Sequence, residues 1–518
     1  MIRLPAAALA ALFIAASPLA GLAQDVTLTS RDGAVSVDGA LLGYDGEFYR
    51  VDTKFGELTL DGSGVTCSGP GCPDLTAYVA ELTFSGAAPM AETLMPALIE
   101  GFALRNGYQA AREVGEDGQS TYVITASTGT LLGRIHLRAT TTDEGFADLL
   151  ANEADAVLAL REIRAEEVTR AREAGMGDMT GPGLARVLAL DALVPVVAPG
   201  LPVDEISPRD LARILAGEIV SWAELGGPEA PIAIHMPKPG SGLSQAAEDR
   251  LLRPGGLAAV ERIRRHDSGA ALAEAVADDP FALGLTSFAE RGGARVLTLT
   301  GGCGFTLAPS RRTIKTEDYP LSTPMFLYLP ARRLPALGRE FLAYARSPLA
   351  QLVIRRAGLI DQAPEEVPMD VQGDRFANAI LAAGGDVAFE EVQRMVRTLR
   401  GLRRLTLSFR FETGSSRPDA QSRANIAELA HALEAGDYDG RRLVFVGFSD
   451  SEGPAEANRR IAMERASAVR DAVTEAAEAA APDRTEIAVA AFGEALPMAC
   501  DDSGWGRGVN RRVEVWVR

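Results

Sequence analysis

The 518-residue sequence predicts a multidomain chain of mixed α/β and α+β class, and three observations support this class. Residues 24–76 are short alternating runs interrupted by Asp-Gly and Gly, a pattern typical of consecutive β-hairpins. Residues 77–362 alternate strand-like and helix-like segments, which indicates an α/β sheet. Residues 405–518 combine strand-like runs with amphipathic helical segments, which indicates a separate α+β domain.

The N-terminus has the features of a secretory signal peptide over residues 1–23. A basic start at residues 1–3 precedes an apolar run at 6–16 and a small-residue cleavage site at 21–23. The apolar run is too short and too rich in Ala to predict a membrane span. The mature chain is therefore expected to begin at Gln24 and to reside in the periplasm.

The small β module at residues 24–76 contains no catalytic constellation, so it is interpreted as a spacer or an interaction surface. The formal charge of −18 argues against nucleic acid and anionic membranes as partners of the chain. No metal site or other cofactor is predicted, because the four histidines are scattered along the sequence: His136, His235, His266 and His431.

Four cysteines in an oxidising compartment favour disulfide formation. Cys67 and Cys72 bracket the turn-forming sequence Ser-Gly-Pro-Gly, so a local disulfide is predicted between them. Cys303 and Cys500 either form a bridge between the middle and C-terminal domains or stay as buried thiols. The sequence leaves both possibilities open.

Two glycine-containing turns in the middle region are predicted between a strand and a helix. The first is Ser85-Gly86-Ala87, and the second is Gly240-Ser241-Gly242. A turn of this kind leaves backbone N–H groups at a helix N-terminus, where the helix dipole favours an anion.

These turns, together with the block from Leu211 to Trp222, make residues 77–362 resemble the phosphate-binding proteins of ABC transporters. The resemblance implies the type II periplasmic binding protein fold, with two α/β lobes joined by crossover strands and a ligand in the cleft between them. It also implies a set of anion-binding residues in the cleft: Ser85, Gly86, Ala87, Thr142, Gly240, Ser241 and Gly242.

The sequence departs from that family pattern in its charges. Pro239 stands where the family has an Asp, and Asp143 and Glu144 in the third loop would repel a dianion. Arg161 either supplies the missing positive charge or belongs to a surface ion pair. Two hypotheses follow: the cleft binds a small anion such as phosphate, or the fold has lost this ligand and serves as an envelope interaction protein.

Residues 363–404 are predicted to form a short loop and a helical connector. The connector ends in a basic cluster that is interpreted as a solvated helix face. The cluster consists of Arg397, Arg400, Arg403 and Arg404.

The C-terminal region contains a strand that ends at Asp450 and an amphipathic helix over residues 455–476. Asn458 and Arg465 are seven residues apart on that helix and therefore share a face. The carboxylate offers an acceptor for an ammonium group, and the guanidinium offers a fork of donors for a carboxylate. Such a pair suits a zwitterion.

With the later run Asn510-Arg511-Arg512-Val513-Glu514-Val515, residues 405–518 resemble the OmpA-like peptidoglycan-binding domain. The resemblance implies a βαβαββ fold. In that family, an Asp and the Arg fifteen residues later hold the diaminopimelate of the peptidoglycan stem peptide, and Asp450 and Arg465 have this spacing. The implied peptidoglycan-binding residues are Asp450, Asn458, Arg465, Asn510 and Arg511.

No framed catalytic site is found, because Gly240-Ser241-Gly242 lacks the Gly-X-Ser-X-Gly pattern of a nucleophile elbow. The expected function is that of a non-catalytic periplasmic protein, associated with peptidoglycan and the outer membrane, that presents a substrate-binding-protein domain for a small anion such as phosphate. The alternative is an envelope structural or interaction protein whose binding-protein fold no longer binds phosphate. A transporter or another envelope protein is a possible partner. A wall-associated hydrolase is a minor alternative.

Overall fold

The computed structural model describes residues 25–75, 78–115, 119–181, 183–384, 387–412, 415, 417–481 and 483–518. The chain divides into two compact units. One unit comprises Met1–Ala80 and Arg333–Gly338, and the other comprises Glu81–Arg332 and Arg339–Arg518. Among the described residues, no helix has both the length and the hydrophobicity needed to cross a bilayer.

The N-terminal module is a five-stranded antiparallel sheet, as the hairpin pattern predicts. Its strand order is β4-β3-β2-β1-β5, with β1 Val26–Ser30, β2 Ser36–Tyr44, β3 Phe48–Thr53, β4 Gly56–Asp61 and β5 Val65–Ser68. Asp45 shapes the β2–β3 turn, because its Oδ1 accepts hydrogen bonds from the backbone N–H groups of Glu47 and Phe48 at 2.8 and 2.6 Å. The predicted Cys67–Cys72 disulfide is confirmed, with a Cα–Cα distance of 5.9 Å.

Residues 80–356 form the binding-protein body, in which strands alternate with helices. The strands are β6 Ala80–Ala87, β7 Gln109–Val114, β8 Ser120–Thr125, β9 Leu131–Thr140, β10 Ala156–Ala159, β11 Ala185–Val197, β12 Glu205–Ile206, β13 Ala233–Pro237, β14 Arg264–His266, β15 Ala282–Ser287, β16 Arg295–Val296, β17 Thr298–Thr300, β18 Thr306–Leu307 and β19 Ser322–Tyr328. The helices are α1 Met95–Asn106, α2 Thr142–Leu150, α3 Ala165–Glu173, α4 Pro208–Leu215, α5 Gly242–Ala247, α6 Gly269–Asp278, α7 Arg311–Lys315, α8 Ala336–Ala345 and α9 Pro348–Arg356.

Two long strands connect the two lobes of this body, which confirms the two-lobed fold. The main sheet has the strand order β14-β13-β15-β11-β19-β10-β6-β9-β8-β7. The first part of β11 pairs with β19, and its last five residues, Leu193 to Val197, pair with β15 of the second lobe. Strand β19 also pairs with β10 of the first lobe. Both lobes are therefore built on shared crossover strands.

The block from Leu211 to Trp222 belongs to the core of the second lobe. Leu211 and Trp222 are both fully buried. The Trp222 indole Nε1 also donates a hydrogen bond to the backbone oxygen of Phe281 at 2.9 Å. The apolar residues of this block are therefore spaced to pack in the core of the lobe, and their pattern does not indicate contact with a ligand.

The C-terminal domain is a five-stranded sheet with the order β20-β21-β24-β22-β23. Its elements are β20 Glu366–Val367, α10 Gly373–Ala382, α11 Phe389–Leu399, β21 Arg403–Phe409, α12 Ala420–Ala435, β22 Arg442–Phe448, α13 Ala455–Ala476, β23 Glu486–Gly493, α14 Gly504–Asn510 and β24 Arg512–Val517. From β21 onward, the order matches the expected βαβαββ pattern with the short α14 added before the last strand.

Alternating side chains place one core on each face of this sheet. On one face, Phe445 and Val515 pack against α12 and α13. On the other face, Val446 and Trp516 pack against α10 and α11. The segment expected to be a helical connector therefore covers one whole face of the sheet. At Gly447, a Cβ atom would overlap the backbone oxygen of Ala462, so only glycine allows α13 to lie this close to β22.

Arg404 lies in the interface between the body and the C-terminal domain, and the interpretation as a solvated helix face is wrong for this residue. Arg404 stands near the start of β21 and is 2% exposed. Its Nη1 and Nη2 donate to the two carboxylate oxygens of Asp318 in the body, at 2.6 and 2.9 Å. A bidentate ion pair of this kind is strong and directional.

Glu514 of β24 extends this ion pair into a buried network. The Glu514 carboxylate accepts from the guanidiniums of Arg375 and Arg512, the latter at 2.7 Å from Nε, and it lies 3.4 Å from Nε of Arg404. Burial opposes ionisation of Glu514, but these guanidiniums hold its pKa at about 2. The network therefore remains charged at neutral pH.

Cys303 and Cys500 form a second disulfide, which resolves the alternative that the sequence left open. The Cα atoms are 5.6 Å apart, and the bridge spans 197 residues from the body to the C-terminal domain. Next to it, the Asp502 carboxylate accepts a hydrogen bond from the backbone N–H of Gly302 at 2.6 Å.

Replacing Arg404 with Ala should destabilise the protein by about 3–5 kcal/mol, because Asp318 would then be buried without its partner. The neighbouring Arg403→Ala is the matched control. The Arg403 side chain is 55% exposed and lies 3.6 Å from Glu366, so its loss should cost less than about 1 kcal/mol. Denaturant unfolding of the two variants tests this difference, and equal midpoints would contradict the interface role of Arg404.

Glu317, at the same interface, should make stability depend on pH. Burial, reinforced by Asp419, raises the pKa of Glu317 from 4.5 to about 8. The folded state therefore binds the Glu317 proton more tightly than the unfolded chain does. This difference in proton affinity stabilises the folded state fully below pH 4.5, and the stabilisation is lost as the pH rises from 4.5 to about 8. Glu317→Gln should therefore stabilise the protein increasingly over this range, by at most about 1.4 kcal/mol per pH unit. The exposed Glu475→Gln is the control, and a pH-independent difference in unfolding free energy would refute the assignment.

Candidate functional site

The first candidate site lies at the end of β22 in the C-terminal domain. Asp450 follows this strand by two residues and is 7% exposed. Its Oδ2 accepts a hydrogen bond from Nη1 of Arg511 at 2.5 Å. The backbone N–H of Ser449 donates to the backbone oxygen of Gly493 at 2.9 Å, which fixes the turn. The Asp450 carboxylate is thus held in one place.

Arg465 on α13 completes a cationic pair beside this carboxylate. Its guanidinium lies over the Phe411 ring, 5.1 Å from the ring centroid. Burial lowers the pKa of Arg465, and nearby Arg511 lowers it further, while Asp450 opposes this shift. Arg465 forms no hydrogen bond or ion pair with any residue that the structure describes, and its Nε is buried without an acceptor. Its donors are therefore available to a ligand.

The amide of Asn458 is used inside the fold. Asn458 is buried, and its Nδ2 donates to Oε1 of Glu494 at 2.7 Å. A weaker contact at 3.4 Å joins the same nitrogen to the backbone oxygen of Gly453. Asn458 therefore connects the loop at Gly453 to the loop at Glu494.

The amide of Asn510 is also used inside the fold. Its Oδ1 accepts from the backbone N–H groups of Met498 and Ala499, at 2.7 and 3.1 Å. Its Nδ2 donates to Oδ1 of Asp501 at 2.6 Å, and Oδ2 of Asp501 accepts from the backbone N–H of Ser451 at 2.6 Å. Asn510 thus positions the loop that supports the turn at Asp450.

The Cys303–Cys500 disulfide anchors this same loop, because Cys500 directly precedes Asp501. Of the five predicted residues, the structure brings Asp450, Arg465 and Arg511 together, and it places Asn458 and Asn510 behind them. Sequence reasoning did not single out Phe411 or the buried hydroxyl of Ser449, which has no hydrogen-bond partner among the described residues. Phe411 could have been found from its position just after β21, and Ser449 from its position between β22 and Asp450.

The second candidate site is the cleft of the body, where the first predicted anion loop is part of a strand. Ser85, Gly86 and Ala87 lie within β6, and Ser85 and Gly86 pair with Val157 and Leu158 of β10. The Ser85 hydroxyl donates to Oδ2 of Asp148 at 2.6 Å, so it is already used. The strand extends through these small residues because Ser85 and Gly86 pair with β10, and the expected turn is absent from this described segment.

Arg161 is neutralised by two carboxylates. It is 8% exposed and forms ion pairs with Asp143 and Glu167, the latter at 2.6 Å. These carboxylates raise the pKa of Arg161 against the opposing effect of burial. Thr142 is buried beside them, and its Oγ1 accepts from the backbone N–H of Leu160 at 3.2 Å. The positive charge of Arg161 is therefore balanced within the first lobe.

Side chains from the two lobes meet where the second predicted turn, Gly240-Ser241-Gly242, approaches the third loop at Asp143. Ser241 caps α5 by accepting from the backbone N–H of Ser244 at 3.3 Å. Gly242 faces Leu160 so closely that a Cβ atom would lie 2.6 Å from Leu160 Cδ1. Gln245 of α5 donates from Nε2 to Oδ2 of Asp143 at 2.7 Å. Asp143 thus joins Arg161 of one lobe to Gln245 of the other.

Two family models match the chain. Residues 123–348 match the PBP superfamily domain, and residues 410–511 match the OmpA family. The first match covers most of the two-lobed body, and the second covers the sheet and helices that hold Asp450, Arg465 and Arg511.

Curated relatives match parts of the chain. The phosphate-binding protein PstS of Borreliella burgdorferi is 38% identical over 66 residues, which are 13% of this chain and 24% of the relative. PstS of Bacillus subtilis is 26% identical over 189 residues, covering 36% of this chain and 60% of the relative. Outer membrane porin F of Pseudomonas aeruginosa is 28% identical over 144 residues, covering 28% and 37%. In each case the chain spans less than two thirds of the relative.

Solved structures are similar to both parts at low identity. An ABC-type phosphate transport receptor from Vibrio cholerae has a TM-score of 0.41 and 19% identity, covering 54% of this chain and 99% of the receptor. The peptidoglycan-associated lipoprotein from Burkholderia pseudomallei has a TM-score of 0.19 and 23% identity, covering 21% and 89%. On its family matches, the chain joins a PBP superfamily domain at residues 123–348 to an OmpA family domain at residues 410–511.

Proposed function

We propose that this protein attaches non-covalently to peptidoglycan through its C-terminal domain, with Asp450, Arg465 and Arg511 as the contact residues. The observation that carries the proposal is the position of Arg465. Its guanidinium is half-buried beside an ordered carboxylate, and its donors have no acceptor among the described residues. A guanidinium held in this way suits the carboxylate of a ligand.

The chemistry of the site fits the diaminopimelate of the stem peptide, which carries both an ammonium group and a carboxylate. Arg511 donates to Oδ2 of Asp450, and no residue in the described part of the chain donates to Oδ1, which can therefore accept from a ligand ammonium group. Arg465 would then hold the neighbouring carboxylate. The chain has a net charge of −18, and at the contact residues two guanidiniums face one carboxylate, while the carboxylates of Glu494 and Asp501 are bound inside the fold behind them. Recognition therefore depends on local geometry, not on net charge.

Attachment to peptidoglycan requires export to the periplasm, and we include this location in the proposal. The family matches to a PBP superfamily domain and an OmpA family domain support it. The predicted signal peptide at residues 1–23 lies outside the described residues. We further propose that the protein is not catalytic.

For the body, we propose a role in envelope interactions without phosphate binding. The ion pairs of Arg161 with Asp143 and Glu167 support this role, because they already balance the guanidinium that could otherwise bind an anion. The second candidate function is the binding of a small anion such as phosphate for delivery to a transporter. This second function is supported by the similarity of the chain to two proteins named phosphate-binding protein PstS.

Alanine substitution of Asp450 or Arg465 should weaken peptidoglycan binding at least about tenfold, because each removes one charged partner of the ligand. Co-sedimentation of the full chain with purified peptidoglycan measures the loss. Arg460→Ala on the same helix is the matched control, since the Arg460 side chain is 73% exposed and should not matter. If the Asp450→Ala/Arg465→Ala double variant still sediments with peptidoglycan, the site has been misassigned.

Calorimetry of the full chain with phosphate and with sulfate at low salt should give no binding heat, because Arg161 is already neutralised. The contrary result would be a saturable one-to-one heat that disappears in Arg161→Gln. That outcome would favour the phosphate-binding function of the body, and it would leave the peptidoglycan proposal untouched.

A further inference from the structure

A cavity of about 310 Å³ lies between the body and the C-terminal domain. This volume is at the lower end of the range of small-molecule sites, roughly 300–1,000 Å³. The cavity walls are largely apolar and come from both domains. The body contributes Val187, Leu188 and Leu342, and helix α12 contributes Ala424, Ile426 and Ala427.

Cationic side chains line the same cavity. Arg186, Arg346 and Arg423 all contribute to its lining. Neither Arg186 nor Arg346 forms an ion pair with any residue in the described ranges, and the nearest carboxylate to Arg423 is that of Glu412 at 3.6 Å. Arg346 is exposed, so it brings a guanidinium to the solvent side of the lining, and Arg186 and Arg423 are half-buried.

One acidic group faces these cations, and it does not balance them. Burial raises the pKa of Glu428, and the opposing effects of Arg346, His431 and Lys315 are smaller. Burial and the charge of Arg346 lower the pKa of Arg186. With Arg423 paired to Glu412, the guanidiniums of Arg186 and Arg346 face the single lining carboxyl of Glu428, which leaves an excess of positive charge. An added anion would reduce the repulsion between Arg186 and Arg346.

The cavity therefore combines an apolar interior with a cationic edge. An apolar pocket with a few convergent polar groups is the usual form of a small-molecule site. We infer that this cavity binds an amphipathic monocarboxylate, such as a medium-chain fatty acid, with its acyl chain between the domains and its carboxylate at Arg186 and Arg346. A buried acyl chain excludes water from both walls, and a carboxylate forms charge-assisted hydrogen bonds with guanidinium groups.

This inference goes beyond the proposed attachment to peptidoglycan, since the cavity is lined by neither Asp450 nor Arg465. Its ligand would contact both domains at once. Binding to the folded protein alone raises the unfolding temperature by mass action, so the full chain provides a direct readout.

The test is thermal unfolding and calorimetry of the full chain with hexanoate, octanoate and decanoate. The expected result is a rise in unfolding temperature and an affinity that increases about fourfold per added methylene. Decanol should bind at least about tenfold more weakly than decanoate, because it lacks the charge that pairs with the guanidiniums. Equal affinities for decanol and decanoate would overturn the assignment of the carboxylate to the arginines.

Two variants locate the site. Ala424→Phe should fill the cavity and abolish decanoate binding. Arg346→Glu, at an exposed position that should not affect folding, should weaken decanoate binding at least about tenfold and leave decanol binding unchanged. Arg356→Glu is the control, because Arg356 is an exposed arginine of the same body outside the cavity lining.

Co-sedimentation with peptidoglycan should be the same for all three variants, so failure of this inference and failure of the proposed function are distinguishable. Decanoate binding that survives both Ala424→Phe and Arg346→Glu, or the absence of any effect of decanoate on the wild-type protein, would overturn the inference.

Discussion

The Arg404–Asp318 ion pair is the contact on which the arrangement of the second compact unit depends. Two buried charges are tolerated only when each has its partner, and here one comes from the C-terminal domain and the other from the body. Glu514 ties this pair to Arg375 of α10 and to Arg512 of β24, so both the sheet and the helical layer of α10 contribute to the network. Apolar contacts favour many ways of packing two domains, whereas a bidentate ion pair satisfies few.

The candidate peptidoglycan site is built on this interface. Its supporting loop is anchored at Cys500 by the disulfide to the body and is shaped by Asn510 from within the C-terminal domain. Through Asp501, the loop holds the backbone of Ser451, next to Asp450. The geometry of the site therefore depends on contacts with a domain that has no side chain in it. The site of an isolated C-terminal domain would lack one of these two supports.

The features that local patterns encode could be predicted from the sequence, and those that depend on distant partners could not. Alternation in β22, the spacing of Asp450 and Arg465, and the turn between Cys67 and Cys72 each involve residues that are close in sequence. The burial of Arg404 could not be predicted, because its ion-pair partner Asp318 lies 86 positions earlier in the sequence. Ser85 was expected to contact an anion because Asp148, which accepts its hydroxyl hydrogen bond, lies 63 positions later. The two roles left open for Arg161 could not be separated because Asp143, one of its ion-pair partners, lies 18 positions earlier and meets it only after α2 has packed. The family resemblance supplied the fold of the body, but not the state of its cleft.

The position of β24 has a consequence for the order in which the C-terminal sheet can form. Strand β24, Arg512–Val517, follows β21, β22 and β23 in sequence, yet it lies between β21 and β22. Because β21 and β22 each pair with β24 and not with one another, the sheet cannot close before β24 is in place. Glu514 and Arg512 complete the buried network at the same step. A folding intermediate without β24 would therefore expose two unpaired strand edges, which is the state most prone to aggregation, so the domain is expected to fold as one cooperative unit.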